Sequence, residues 1–228
     1  ALSFLNPFSD AFIYETKFIK AYLATYLHEL FRIDKRKDHW IPGGIQTYVI
    51  MKYVETFYPD SKFLGALNEF KFLGIRPFKG YSAAQIGFNE SFSFIYEWAE
   101  HGNRQQSDTL GREQLTKSNE LLNSPYHVGS GLFYLDQYLG KNILSEGIYE
   151  FSKTRGQQSF ETILEEKSNE NLDWFFKNYL SDREAFDLYI KNILRNKQSL
   201  FVTISEKNNK SVPFKLDLVK DDSLVKEQ

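Results

Sequence analysis

The chain has 228 residues, 42% of them hydrophobic, which is enough to bury the core of one large domain or of one domain with a smaller companion. Its 28 basic and 30 acidic residues give a net charge of -2, which excludes the strongly basic surface of a typical nucleic-acid-binding protein. It has no Cys, which excludes disulfides and Cys-based zinc sites. No apolar run reaches the ~20 residues that a membrane span needs, and no signal peptide is expected.

The composition is rich in aromatic residues, with 21 Phe and 14 Tyr. Such rings fill thick helix-helix interfaces, because each buries a large apolar area. The chain starts inside a pattern, without an initiator Met, so we expect a fragment of a longer protein. The compartment stays unknown, with the cell envelope or periplasm favoured over the cytoplasm.

Helical spacing of apolar residues covers the first quarter of the chain. It runs from Asp10 to Phe31 and again from Ile41 to Phe57, and it predicts two long helices. Asp10, which follows Pro7, is the expected N-cap of the first helix. Pro59 ends the second, because proline has no amide hydrogen and its ring clashes with the preceding turn.

The middle of the chain continues this helical pattern with interruptions. Ser61 to Phe72 predicts a short helix, Leu73 to Gly87 a glycine-rich loop, Phe88 to Glu100 a further helix, and His101 to Arg112 a polar connection. Four packed helices are then expected, at Tyr126–Leu139, Asn142–Lys153, Ser159–Lys167 and Leu172–Leu180.

Strand-like segments replace helical ones near the end. Phe186–Ile190, Leu200–Ile204 and Val212–Val219 have strand length and are rich in β-branched and aromatic residues. The charged residues from Asp221 to Gln228 predict a frayed tail. The expected fold is therefore mainly α: a helical domain over residues 1–181, followed by a small antiparallel β unit over residues 182–228.

Catalytic motifs are scarce. A zinc hydrolase commonly carries two His one helical turn apart, with a Glu beside them as general base. His28 and Glu29 begin like this motif, but Arg32 stands at the second ligand position, and a guanidinium would repel the metal. No nucleophile elbow and no phosphate-binding loop is present either.

The segment from Asp34 to Tyr48 has a more specific pattern, reading Asp-Lys-Arg-Lys-Asp-His-Trp-Ile-Pro-Gly-Gly-Ile-Gln-Thr-Tyr. It resembles a segment of the gluzincin aminopeptidases, the family of aminopeptidase N and leukotriene hydrolase. In that family an Asp-x-Arg-Lys stretch and a Trp lead into Asn-Glu-Gly or Asp-Glu-Gly and then a Tyr. The family's Glu is the third zinc ligand, and Gly43 stands in its place here.

Two further segments resemble the same family. Ser124 to Gly140 is similar to its Pro-Tyr-Glu-Lys-Gly helix, and the resemblance places Tyr126 on the Tyr that hydrogen-bonds the oxyanion. His127 and Val128 replace the Glu and Lys that come next in the family. Ser159 to Leu180 is similar to the helix pair that closes the catalytic domain, after which the family has a small β-sandwich. The matches cover most of the chain in the family's order.

The resemblance implies that the zinc site is degenerate. On the Asp-x-Arg-Lys and Trp landmarks, the family's His-Glu-x-x-His motif falls on Lys20 to Ala24, which contain neither the His ligands nor the Glu base. With Gly43 at the third position, all three ligands are absent. We therefore expect the helical lobe of a zincin-like peptidase without a metal or other cofactor.

Three hypotheses for function remain open. In the first, a catalytically inactive peptidase-like domain binds a peptide or protein in the former active-site cleft. The cleft would be lined by His39, Trp40, Gly43 and Gln46, together with Tyr126, which corresponds to the family's oxyanion-stabilising Tyr. In the second, an active zinc aminopeptidase uses His28 and Glu29 with a third group such as His39. In the third, the chain has a purely structural role in a larger envelope protein. We expect no nucleic-acid partner.

Overall fold

A computed structural model describes these parts of the chain: residues 7–65, 85–182, 188–196, 199–207, 212–220 and 223–227. They are mainly helical, with short antiparallel strands toward the C-terminal end, which confirms the predicted fold class. The α-helices are α1 (Asp10–Phe31), α2 (Trp40–Phe57), α3 (Glu90–His101), α4 (Ser124–Leu139), α5 (Ile143–Thr154) and α6 (Phe160–Ser168).

Helix α1 is capped one residue earlier than the sequence predicts. The Ser9 hydroxyl accepts a hydrogen bond from the Phe12 amide at 3.2 Å, so Ser9 is the N-cap and Asp10 lies in the first turn. Asp10 still favours the helix there, because its negative charge lies near the positive end of the helix dipole.

The outer face of α1 carries a row of exposed aromatic side chains. Tyr14, Phe18, Tyr22 and Tyr26 succeed one another at intervals of four residues, and 44–72% of each side chain is exposed. The Phe18 and Tyr22 rings stack at 6.2 Å between centroids, and the Tyr22 and Tyr26 rings at 5.4 Å. Residues four apart are neighbours on a helix surface, so this stacking results directly from the spacing.

Helices α2 and α4 approach each other closely through glycine. A Cβ atom on Gly44 of α2 would lie 2.1 Å from the Val128 Cγ1 atom of α4. On the facing helix, a Cβ on Gly129 would lie 2.4 Å from the Thr47 Cβ. The absence of side chains at both positions therefore lets the two backbones come together.

Apolar side chains fill the space around this helix pair. One cluster of buried residues comprises Phe12, Ile50, Met51, Val54 and Phe92, which belong to α1, α2 and α3. Fully burying one such side chain contributes roughly 1.5–3 kcal/mol. This cluster holds the three helices in the positions that the candidate site requires.

A second group of buried rings comes from α1, α5 and α6. The Phe31 ring lies 5.2 Å from that of Phe151, which in turn lies 5.2 Å from that of Phe160. These contacts join α1, α5 and α6.

The connection before α3 differs from the prediction where the structure describes it. Residues 61–65 are not α-helical, and Lys62 forms an isolated antiparallel bridge with Gly87. The rest of the helix predicted at Ser61–Phe72, and most of the loop predicted at Leu73–Gly87, lie outside the described residues.

Three short helical segments are not α-helices. Arg112–Gln114 forms a 3-10 helix, and Asn119–Asn123 forms a π-helix that runs directly into α4. The helix predicted at Leu172–Leu180 is a π-helix at Trp174–Tyr179. In a π-helix the hydrogen bonds span five residues, so each turn holds more residues than a turn of an α-helix.

The strands form two separate antiparallel pairs. β1 (Leu188–Arg195) pairs with β2 (Leu200–Glu206), with an irregularity between Ile190 and Asn192. β3 (Asp217–Lys220) pairs with β4 (Ser223–Glu227). The frayed tail predicted from Asp221 is therefore wrong, because β4 lies within it; the strand predicted from Val212 begins only at Asp217.

The chain divides into two compact units, Ala1–Glu170 and Asn171–Gln228. The division into residues 1–181 and 182–228 stays a prediction. Within the described residues, no helix combines the length and apolar character that a membrane crossing requires.

Candidate functional site

Predicted site residues of α2 and α4 lie near the part of α1 on which the family's His-Glu-x-x-His motif falls in the resemblance. The Gln46 side-chain amide of α2 donates a hydrogen bond to the Lys20 backbone carbonyl of α1 at 2.6 Å. One turn before Gln46, a Cβ on Gly43 would lie 3.3 Å from the Pro125 Cγ in the first turn of α4. Tyr126 is the next residue after Pro125, so Lys20, Gly43 and Tyr126 lie near one another.

A cavity of about 190 Å³ opens at this meeting point. We call its buried, mainly apolar part the floor and its more exposed part the rim; Lys17 and Lys20 of α1 belong to the rim. The lining residues are Thr16, Lys17, Lys20, Gln46, Thr47, Ile50, Phe88, Phe92, Leu121, Pro125 and Tyr126. The structure thus brings Gln46 and Tyr126, two of the predicted site residues, into one cavity.

Tyr126 is half-buried in this lining. Its ring meets that of Phe92 edge-on, with centroids 4.9 Å apart. Burial raises the pKa of the Tyr126 hydroxyl, so the phenol stays protonated and can donate a hydrogen bond. Within the described parts of the chain, no side chain or backbone group hydrogen-bonds to it.

Gly43 borders the cavity region without a side chain of its own. A Cβ there would make a tight contact with Pro125, at 3.3 Å. A carboxylate at this position would therefore require the start of α4 to shift slightly. The packing of α2 against α4 is adjusted to glycine at this position.

His39 lies at the start of α2 and does not line the cavity. The pKa of His39 is lowered, and burial is the main cause. The charge of Arg112 lowers this pKa further, whereas Asp108, Glu120 and a hydrogen bond with the Lys37 backbone oppose the shift. The imidazole is therefore in an environment that favours its neutral form.

Trp40, the first residue of α2, also lies outside the cavity lining. Its ring faces that of Phe160 at 6.5 Å between centroids. The structure therefore separates His39 and Trp40 from Gln46 and Tyr126, although all four belong to the predicted site.

A buried polar pair, Asp108 and His127, was not predicted. The His127 Nδ1 atom lies 2.6 Å from the Asp108 Oδ2 atom, and the imidazole stacks on the Tyr96 ring at 4.0 Å between centroids. Asp108 is 2% exposed. The two residues are nineteen positions apart, on a polar connection and a helix, and no periodic pattern links them.

Lys17 and Lys20 are further site residues that sequence reasoning did not select for binding. Both lie on α1 and line the cavity. Their spacing of three residues was the available signal, because such residues share one face of a helix.

The residues present do not fit the zinc ion that the resemblance implies. Lys20 lies where the first ligand is expected, and an ammonium repels a metal cation. No imidazole or carboxylate lines the cavity within the described part of the chain. In the same part, no group of three metal-ligating side chains includes His28, Glu29 or His39.

The chain matches no protein-family model, no curated protein and no solved structure. The resemblance to gluzincin aminopeptidases therefore stays a prediction that rests on the three sequence segments alone.

Proposed function

We propose that this chain is a catalytically inactive, peptidase-like binding module that holds a peptide or a protein segment in the cavity between α1, α2 and α4. The observation that carries the proposal is the composition of the cavity lining: an apolar floor surrounded by a few polar groups, with no imidazole or carboxylate among the described lining residues. Small binding sites have this composition, because apolar walls supply affinity and a few polar groups supply orientation.

The chemistry of the lining argues against hydrolysis at this position. Amide hydrolysis by a metallopeptidase needs a metal-activated water and a general base. The Tyr126 phenol can stabilise a negative oxygen by donating a hydrogen bond, but its raised pKa keeps it protonated, so it cannot take a proton from water as a general base. Binding without turnover is the function that these groups support.

A peptide array tests the proposal through one exposed lining residue. Leu121 is 62% exposed and lines the cavity, so Leu121→Ser removes apolar binding surface without opening a core. We expect random hexapeptides to bind the native chain, and Leu121→Ser to weaken the binding by roughly tenfold, the loss that corresponds to about 1.4 kcal/mol.

The adjacent residue provides a matched control. Leu122 is 44% exposed, lies on the same π-helix and does not line the cavity. Leu122→Ser should leave binding unchanged. Absence of peptide binding to the native chain, or equal effects of the two substitutions, would contradict the proposal.

A further inference from the structure

We infer that the cavity recognises the C-terminal carboxylate of a peptide whose last side chain is apolar. This inference rests on the proposed binding function and specifies its ligand. It is carried by the charge, the available hydrogen-bond donor and the size of the cavity.

The charge of the lining is positive. Lys17 and Lys20 contribute two ammonium groups, and within the described residues no carboxylate lies in the lining. In the same residues, no carboxylate forms an ion pair with either ammonium. Glu15, on the same helix, instead accepts hydrogen bonds from the Tyr53 and Tyr58 hydroxyls, at 2.7 and 2.5 Å.

This charge selects one end of a peptide. A peptide carries a positive amine at its N-terminus and a negative carboxylate at its C-terminus. The two ammonium groups repel the amine and attract the carboxylate, and no acidic group of the described lining offsets them.

The Tyr126 hydroxyl supplies a neutral donor for the same group. Tyr126 lines the cavity, and its hydroxyl has no partner among the described residues. The Gln46 amide nitrogen, by contrast, already donates to the Lys20 carbonyl. A carboxylate has two oxygens and can accept from a phenol and an ammonium together.

The apolar floor and the volume fit a single side chain. Ile50 and Phe92 are buried in the floor, and Phe88 and Pro125 complete it. Sites for drug-sized ligands have volumes of about 300–1,000 Å³. A cavity of about 190 Å³ is smaller, so it accepts the end of a chain rather than an extended segment.

Calorimetry with two N-acetylated tripeptides tests the inference. Both have the sequence Ala-Ala-Phe, one with a free carboxylate and the other with a carboxamide, so only the terminal charge differs. We expect the acid to bind roughly tenfold more tightly than the amide, since hydrogen bonds to a charged group are stronger than those to a neutral one. Raising the salt concentration should weaken binding of the acid more than that of the amide.

Two variants assign this difference to the cavity. In the double variant Lys17→Gln, Lys20→Gln, the acid should bind no better than the amide. Lys37→Gln removes a positive charge from the connection between α1 and α2, outside the cavity lining, and should preserve the preference for the acid. Circular dichroism checks that each variant is folded.

The outcomes separate the inference from the function on which it rests. Equal binding of acid and amide overturns carboxylate recognition and leaves the proposed binding function intact. Failure of both tripeptides and of the peptide array overturns both. N-acetylphenylalanine carries the same terminal side chain and carboxylate, so it should bind about as tightly as the acid tripeptide. Much weaker binding of N-acetylphenylalanine would show that recognition depends on groups outside a single terminal residue, and it would overturn the assignment to a chain end.

Discussion

Two adjacent residues of α4 differ in how their polar groups are used. Tyr126 lines the cavity, and its hydroxyl has no partner among the described residues. The His127 imidazole, in contrast, contacts the Asp108 carboxylate and stacks on the Tyr96 ring. The motif around Tyr126 was enough to select that residue from the sequence. Asp108, the partner of His127, could not be selected from the sequence, because the contact between the two residues depends on how the connection before α4 folds.

The Asp108–His127 pair should contribute to stability rather than to binding. Asp108→Ala removes the carboxylate that contacts the buried imidazole, and we expect the free energy of unfolding to fall by about 1–3 kcal/mol, the usual cost of losing a buried hydrogen-bond partner. Asp108→Asn retains a hydrogen-bonding oxygen and should cost less. Urea denaturation of both variants measures the difference, and equal stability of Asp108→Ala and the native chain would contradict this role.

His39 should make the stability depend on pH. Its pKa is lowered in the folded chain, chiefly by burial, so the unfolded chain binds more protons in the range just below about pH 6.5. The free energy of unfolding should therefore decrease as the pH falls through this range. His28, whose pKa is lowered by burial and by Lys35 and Arg112, should add to the same slope.

Urea denaturation between pH 5 and 8 measures this slope. His39→Gln should flatten it, while His101→Gln, at the exposed end of α3, is the matched control and should leave it unchanged. A slope that is the same in the native chain and in His39→Gln would refute the assignment.

At the scale of elements, apolar spacing predicted the regular helices and missed the irregular ones. α1 and α2 have long periodic patterns, and their predicted bounds agree with the structure to within one residue. The π-helix at Asn119–Asn123 has no such pattern, because its course depends on side-chain hydrogen bonds such as that from the Asn123 amide to the Asn119 side-chain oxygen, at 3.0 Å. Strand β4 was missed because ladder bonds join backbone groups and do not require apolar side chains.

The close contact of α2 and α4 gives a prediction at this scale. Gly44→Ala would place a methyl group 2.1 Å from Val128, so α2 and α4 must separate. We expect a loss of about 1–3 kcal/mol, the usual cost of overpacking a core.

Gly43→Ala is the matched control, since its methyl group would meet Pro125 at 3.3 Å and needs only a small adjustment. Each substitution replaces a glycine of α2 by alanine, so the gain in intrinsic helix propensity is the same in both variants and cancels in the comparison. Thermal denaturation compares the stability of the two variants. If Gly44→Ala is as stable as Gly43→Ala, the contact between α2 and α4 relaxes without cost and the prediction is wrong.

At the scale of the molecule, the predicted class of fold is confirmed. The site assignment stays a prediction, although Gln46 and Tyr126 line one cavity. The sequence did not predict that His39 and Trp40 lie outside the cavity lining. These residues are close to Gln46 in sequence, but closeness in sequence does not determine the direction in which side chains at the start of a helix point. The charge balance near zero was also uninformative, because the two ammonium groups at the cavity are a local feature.

Metal content provides a prediction for the whole chain. Since the resemblance to gluzincin aminopeptidases places Lys20 and Gly43 at zinc-ligand positions, we expect purified chain to contain no stoichiometric zinc and its melting temperature to be unchanged by a chelator. One zinc per chain, with a clear drop in melting temperature after chelation, would favour the active aminopeptidase that uses His28, Glu29 and a third ligand. A specific metal present at a hundred times its Kd would stabilise the fold by about 2.7 kcal/mol, which is easily measured.

The π-helix at Asn119–Asn123 runs directly into α4, and its extra residue sets the rotational position of that helix. Each residue added to or removed from an α-helix rotates the rest of the helix by about 100°. Deleting one residue from this segment would turn Tyr126 away from the cavity and would also separate Gly129 from Thr47. The position of Tyr126 in the cavity lining and the close contact of α2 with α4 therefore both depend on the π-helix, and the two are gained or lost together when the length of this segment changes.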